Sequence, residues 1–277
     1  MTRAPGGGVT LAVHRVGYGR PTLVLHGGGP GCTSLSDFAA VAGLVGAGRE
    51  LIFVDLAQFG RSDAPGIDGG LFDFHARSVT ALLDGLRLAG TDVLAQSLGG
   101  SVALLLAARR PDLVHRIVAT GSQPIPFGSP DDRRASLGRR VREEYYGNGG
   151  SNQGPAPEDM RRLLASLEWY DGDRIPDDLV ARRHEASMLP GPLRFGVDHS
   201  GRGLPQDLSA DLASVASEVL LIWGAQDPFS DPRYAAEVAA ILPRARVEVI
   251  EAAAHHPQSE HPEMYAQLAR EFLDGGL

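Results

Sequence analysis

Three residues far apart in the chain have the types needed for nucleophilic catalysis: Ser97, Asp227 and one histidine of the pair His255-His256. A serine hydroxyl is a weak nucleophile at neutral pH. It needs a base within hydrogen-bond reach, and the base needs a carboxylate to fix its tautomer. Ser97 sits in Ala95-Gln96-Ser97-Leu98-Gly99-Gly100, with small residues two positions to either side. Small residues let a strand turn sharply into a helix and lift the central side chain clear of the sheet. Two backbone N–H groups are candidates to hold a developing oxyanion. One belongs to Leu98, just after the serine. The other belongs to Gly28, in the run His26-Gly27-Gly28-Gly29-Pro30-Gly31. His26 is read as a buttress for that glycine loop.

The elements that must position these residues follow from the hydrophobic pattern. Val9–Val16 and Pro21–His26, separated by Gly17-Tyr18-Gly19-Arg20, read as a hairpin. Buried strands are expected at Leu51–Asp55, Asp92–Ala95, Val114–Thr120, Glu218–Trp223 and Arg246–Glu251. Helices are expected at Ser36–Leu44, Phe74–Leu88, Val102–Arg110, Pro232–Leu242 and Pro262–Leu273. Strand and helix in alternation predict an α/β fold, a mostly parallel sheet with helices on both faces. Ligands then gather at the carboxyl ends of the strands, where Ser97, Asp227, the histidine pair and the glycine loop all fall. The alternation breaks between residues 123 and 205. Three helices are expected there, Asp131–Tyr146, Pro157–Tyr170 and Pro176–Met188, with a glycine-rich loop over Gly147–Pro155. Residues 1–122 and 206–277 are read as the core, and 123–205 as a helical lid.

Composition narrows the function. The net charge of −8 comes without a basic stripe, which argues against a nucleic-acid partner. No apolar run reaches membrane-spanning length, and Met1–Val9 lacks a signal-like apolar core. With Cys32 the only cysteine, no internal disulfide can form, and a cytoplasmic location is expected. Cys32 is read as a buried small residue. The chain has no lysine, so neither a Schiff-base lysine nor a P-loop can occur. No metal or cofactor is called for. The expected partner is a small-molecule substrate, and self-association is left open.

Nearly the whole chain resembles the α/β-hydrolase superfamily, in which nucleophile, acid and histidine follow the chain order seen here. Within it the chain is most similar to the meta-cleavage product hydrolases, which cleave a carbon–carbon bond in ring-fission products of catechols. The matching pieces are His26–Gly31, Phe59-Gly60-Arg61-Ser62-Asp63, Gln96–Gly100, Trp223-Gly224-Ala225-Gln226-Asp227-Pro228-Phe229 and His255-His256-Pro257-Gln258-Ser259-Glu260-His261. The spacing of His255 to Pro257 fits that family and selects His255 over His256 as the base. Arg183-His184-Glu185-Ala186 looks like the family's arginine motif, which implies that Arg183 holds a substrate carboxylate. The resemblance also implies substrate contacts for Asp37, Gln96, Phe229 and His256. Three of these depart from the usual residues: asparagine is usual at positions 37 and 96, and tryptophan at 256. Asp37 would oppose a substrate carboxylate unless protonated or turned away. An ester or lactone hydrolase of the same fold, or a small-molecule receptor built on it, would share most of these features. Proline iminopeptidases share the glycine loop but carry tryptophan where Leu98 stands. Dehalogenases and epoxide hydrolases carry aspartate at the nucleophile.

Overall fold

The computed structural model describes residues 1–126, 133–147, 154–198 and 200–275. Eight strands form one sheet: β1 (Thr2–Pro5), β2 (Thr10–Gly17), β3 (Arg20–Leu25), β4 (Arg49–Asp55), β6 (Thr91–Gln96), β7 (Val114–Thr120), β9 (Glu218–Gly224) and β10 (Ala245–Ile250). Two further strands, β5 (Ile67–Gly70) and β8 (Arg202–Leu204), pair in a small sheet of their own. The large sheet runs in the order β1-β2-β4-β3-β6-β7-β9-β10. It is parallel from β4 to β10, while β1 and β2 are antiparallel to their neighbours.

The expected hairpin between β2 and β3 does not form. β4 lies between them, antiparallel to β2 and parallel to β3. The Gly17–Arg20 turn is a crossing point from one neighbour of β4 to the other. A hairpin does occur one strand earlier, between β1 and β2. β1 escaped the sequence reading because it is short and its residues are mostly exposed.

Helices α1 (Ser34–Val45), α2 (Leu71–Gly85), α3 (Leu98–Arg109), α9 (Pro232–Ile241) and α11 (Pro262–Leu273) surround the sheet. Alternate residues of each strand feed two separate cores. Leu23, Leu25, Ile52, Val54, Val93 and Ala95 pack on one face with α2 and α3. Val24, Leu51, Phe53 and Leu94 pack on the other with Phe38, Tyr265 and Phe272 of α1 and α11. Burial on both faces explains why these strands read as continuous apolar runs rather than alternating ones.

Between β7 and β9 the chain leaves the sheet. It forms α4 (Arg133–Gly147), α5 (Pro157–Leu167), α6 (Asp177–Ser187) and α7 (Pro190–Val197), then β8 and α8 (Ser209–Leu212). Met160, Leu163, Leu164, Leu167, Trp169, Leu179 and Val180 give this segment its own apolar core. Three of its helices stand where the sequence places them. α7 was not expected, because its Pro190-Gly191-Pro192 start reads as a turn. Most of the Gly147–Pro155 loop lies outside the described residues. A last short helix, α10 (Pro257–Glu260), follows the histidine pair.

Candidate active site

The turn from β6 into α3 places Ser97. Its backbone stands at φ 48°, ψ −112°, in the region L-residues avoid. Strain of this kind persists only when the surroundings over-determine it. Here Ser97 donates its N–H to the Thr120 carbonyl at 2.7 Å, and its own carbonyl accepts from Gly100 and Ser101. A Cβ on Gly99 would lie 2.7 Å from the carbonyl oxygens of Leu25 and His26, and one on Gly100 only 1.7 Å from Ser122 Oγ. Only glycine allows the helix start to approach the sheet this closely, which is the physical content of the small-residue pattern.

β9 and β10 deliver the other two groups. His255 Nδ1 donates to Asp227 Oδ2 at 2.8 Å, both side chains being buried. That assignment leaves Nε2 as the basic nitrogen. The other oxygen, Asp227 Oδ1, accepts from the Phe229 N–H at 2.8 Å, so the carboxylate is held at both ends. Burial is the largest influence on His255 and disfavours its charge. The charge and hydrogen bond of Asp227, with more distant help from Glu168 and Asp37, outweigh it, so the imidazole is more basic than usual. The Phe229 ring lies 4.5 Å from the imidazole, centroid to centroid.

Gly28 and Leu98 are partly exposed and adjacent; a Cβ on Gly28 would stand 3.5 Å from that of Leu98. His26 underlies the loop. Its Nδ1 donates to the Gly27 carbonyl at 2.6 Å while Nε2 accepts from the Leu56 N–H at 2.9 Å, which defines a neutral tautomer. Asp37 is turned away from open space. It accepts from the Gly27 N–H at 2.8 Å and from Ser36 Oγ at 2.9 Å, so it anchors the loop backbone. Gln96 spends its amide behind the histidine: Nε2 donates to the His255 carbonyl at 2.8 Å, and Oε1 accepts from Gln258 at 3.2 Å.

The family model for the alpha/beta hydrolase fold matches residues 21–262. The chain belongs to that family. Among its curated relatives is the 2-hydroxymuconate semialdehyde hydrolase of Pseudomonas sp., 28% identical, with 96% of this chain and 91% of that protein covered. Another is the 2-hydroxy-6-oxononadienedioate/2-hydroxy-6-oxononatrienedioate hydrolase of Paraburkholderia xenovorans, 27% identical over the same shares. Among solved structures, a meta-cleavage product hydrolase from Pseudomonas fluorescens superposes with a TM-score of 0.82 at 22% identity, covering 100% of this chain and 98% of that one. A thermophilic esterase from Thermogutta terrifontis gives 0.78 at 22%, with 99% and 98% covered.

Arg183, on α6, is where the geometry departs from the resemblance. It does reach the glycine loop: Nε donates to the Pro30 carbonyl at 3.0 Å. Its fork, however, closes on Glu168, with both terminal nitrogens 2.8 Å from the two carboxylate oxygens. The side chain is 1% exposed. The same Glu168 carboxylate lies 3.1 Å from His256 Nε2, and its backbone carbonyl accepts from the His256 N–H. His256 therefore serves this cluster rather than open space, and burial depresses its basicity. Glu168 is itself buried, which would raise its pKa; the charges of Arg183 and His256 override that and hold it at about 2. Cys32 is buried beside them, its thiol pushed up by burial.

Glu168 and Gln258 were missed in the sequence. Glu168 ends a helix with no motif around it. Gln258 was quoted as part of a matching stretch but given no role.

Proposed function

We propose that this chain hydrolyses the carbon–carbon bond beside a ketone in a small ring-fission product of the 2-hydroxy-6-oxo dienoate type. The observation that carries the reading is the buried His255–Asp227 pair tied to the strained Ser97 turn through Gln96, whose amide donates to the His255 carbonyl, on a chain whose curated relatives carry names for this reaction. The dienol first tautomerises to its keto form. His255 Nε2 takes the Ser97 proton as Oγ bonds to the ketone carbon. The Leu98 and Gly28 amides hold the resulting oxyanion. When it collapses, the electron pair of the carbon–carbon bond leaves as a delocalised dienolate, which takes the proton from His255. His255 then deprotonates a water that attacks the acyl-serine, and Ser97 recovers its proton as the acid departs. The scheme needs only these side chains, two amides and water.

In this reading residues 123–205 form a lid that encloses a small-molecule substrate. The enzyme works in the cytoplasm without nucleic acid or membrane, as a monomer or a homo-oligomer. Arg183 contributes by holding Glu168 and the glycine loop.

A second reading, ester or lactone hydrolysis, is favoured by one observation: the arginine that should grip a carboxylate is already neutralised by Glu168. Steady-state turnover of dienoate ring-fission products beside simple aryl esters and lactones decides between them. The first reading expects the dienoates to give the higher kcat/KM. Turnover confined to the esters would put the second reading ahead.

A further inference from the structure

The closure of Arg183 on Glu168 leaves the substrate carboxylate without its expected partner, and the structure offers another. A narrow cleft is lined by Gly28, Gly29, Pro30 and Gly31 of the glycine loop, by Gln58 and Phe59, and by Arg142, Tyr146, Pro192 and Arg202. It therefore shares Gly28 with the proposed oxyanion site. Arg202 is partly buried on its wall. Among the described residues its side chain makes one hydrogen bond, from Nη1 to the Phe195 carbonyl at 2.6 Å. Among the described residues no carboxylate lies within ion-pair distance of it. The cation Arg142 on the same cleft disfavours its charge, and the Tyr146 hydroxyl opposes that to a smaller extent.

A guanidinium has five N–H donors in a planar fork and cannot shed its charge cheaply. Burying one without a carboxylate, beside a second of like sign, costs free energy. Burial and the neighbouring Arg142 together pull the Arg202 pKa down to about 9, far below an ordinary arginine. An anion accepting from the Arg202 fork would offset both penalties, since charge-assisted hydrogen bonds to a carboxylate are short and strong. The competing structural role is capping, because Phe195 lies in the last turn of α7, where a cation meets unsatisfied carbonyls.

We propose that Arg202, with Arg142 beside it, forms the anion subsite of this enzyme and receives the substrate carboxylate that the resemblance assigned to Arg183. The proposal rests on the hydrolase reading above but not on the carbon–carbon bond. A carboxylate in this cleft would hold an acyl carbonyl of either substrate class beside Gly28 and Leu98.

The test uses two aryl esters of similar size, the anionic mono-4-nitrophenyl ester of succinate and the neutral 4-nitrophenyl pentanoate. Their kcat/KM ratio is compared in wild type, Arg202→Gln and Arg202→Lys, each checked for folding by thermal melting. The ratio should fall by about tenfold in Arg202→Gln, with the loss mainly in KM. It should fall less in Arg202→Lys, which keeps the charge but not the two-pronged geometry. Lysine also guards against a glutamine variant that does not fold. A folded variant of either kind with the wild-type ratio overturns the proposal. Equal losses on both esters also overturn it and assign Arg202 to capping α7. Parallel assays on dienoates keep the two readings apart. If dienoates are not cleaved but the anionic ester depends on Arg202, the carbon–carbon reading falls and the subsite stands. If dienoates are cleaved equally well by Arg202→Gln, the subsite falls and the reaction stands.

Discussion

Two arginine environments border the glycine loop, and they differ in one respect. Arg183 is locked to Glu168, which is locked in turn to His256. Arg202 has a backbone carbonyl and a neighbouring cation. The first is a completed network, of the kind that fixes one element against another. The second is incomplete in a way that folding does not require. The contrast teaches that a motif arginine and a binding arginine need not be the same residue. What decides is whether the charge already has a partner.

The largest effect should come from Ser97→Ala. Turnover should drop by about three orders of magnitude or more while the melting temperature holds, because a triad acts as a unit. That folded, inactive variant also sharpens the contrast, since anion binding to it can be followed calorimetrically without hydrolysis. A folded Ser97→Ala retaining near-wild-type activity would end the triad assignment.

Stability separates the two arginines next. Arg183→Met should cost roughly 3–5 kcal/mol in denaturant unfolding, since it strands a buried carboxylate. Arg202→Met, which strands only the Phe195 carbonyl, should cost about 1–2 kcal/mol. Equal costs would erase the distinction.

Acid should then attack only the completed network. Glu168 is held at about 2, below the usual 4.5. A depressed carboxylate contributes stability above pH 4.5, and that contribution drains away as pH falls from 4.5 towards 2. The amount is roughly 3 kcal/mol from the size of the shift. Glu168→Gln should be less stable at neutral pH and should lose less on acidification. Parallel unfolding curves for the two proteins between pH 5 and 2.5 would contradict this.

The smallest effect concerns the base. kcat/KM should rise with pH through an apparent pKa above 6.5, as His255 loses the proton that prevents it from acting. Glu168 is one of the charges that hold this value up, so Glu168→Gln should move the rise slightly to lower pH. A profile flat between pH 5 and 8 would count against a histidine base.

Much of this architecture was legible in the residues. The strands of the core read clearly because burial on both faces leaves them no polar positions, as in Leu51–Val54 and Val93–Ala95. Ser97 and Asp227 were found by residue type and chain order, His255 by the family's histidine-to-proline spacing, and the structure brings Asp227 and His255 into contact. What escaped was pairing between distant elements. The placement of β4 between β2 and β3 is a property of the sheet, and a glycine turn looks the same whether it closes a hairpin or a crossing. Arg183 and Glu168 are fifteen residues apart, on α6 and just beyond α5. Nothing local in either segment says that they meet. That the charge of Arg183 is already paired could be read only once its partner was in place.

Gly31 carries a further consequence. Its backbone stands at φ 69°, and a Cβ there would sit 1.8 Å from the carbonyl oxygen of Arg183. The main chain of α6 therefore rests against the main chain of the glycine loop with no side chain between them to yield. Such a contact has no side chain whose rotamer could change to let the two segments shift. If the inserted helices swing to admit substrate, this point is the pivot, and the widest displacement falls at the end farthest from it. The amides proposed to receive the oxyanion stay on the stationary side of that swing. Entry and product release would then cost little of the geometry on which the chemistry depends.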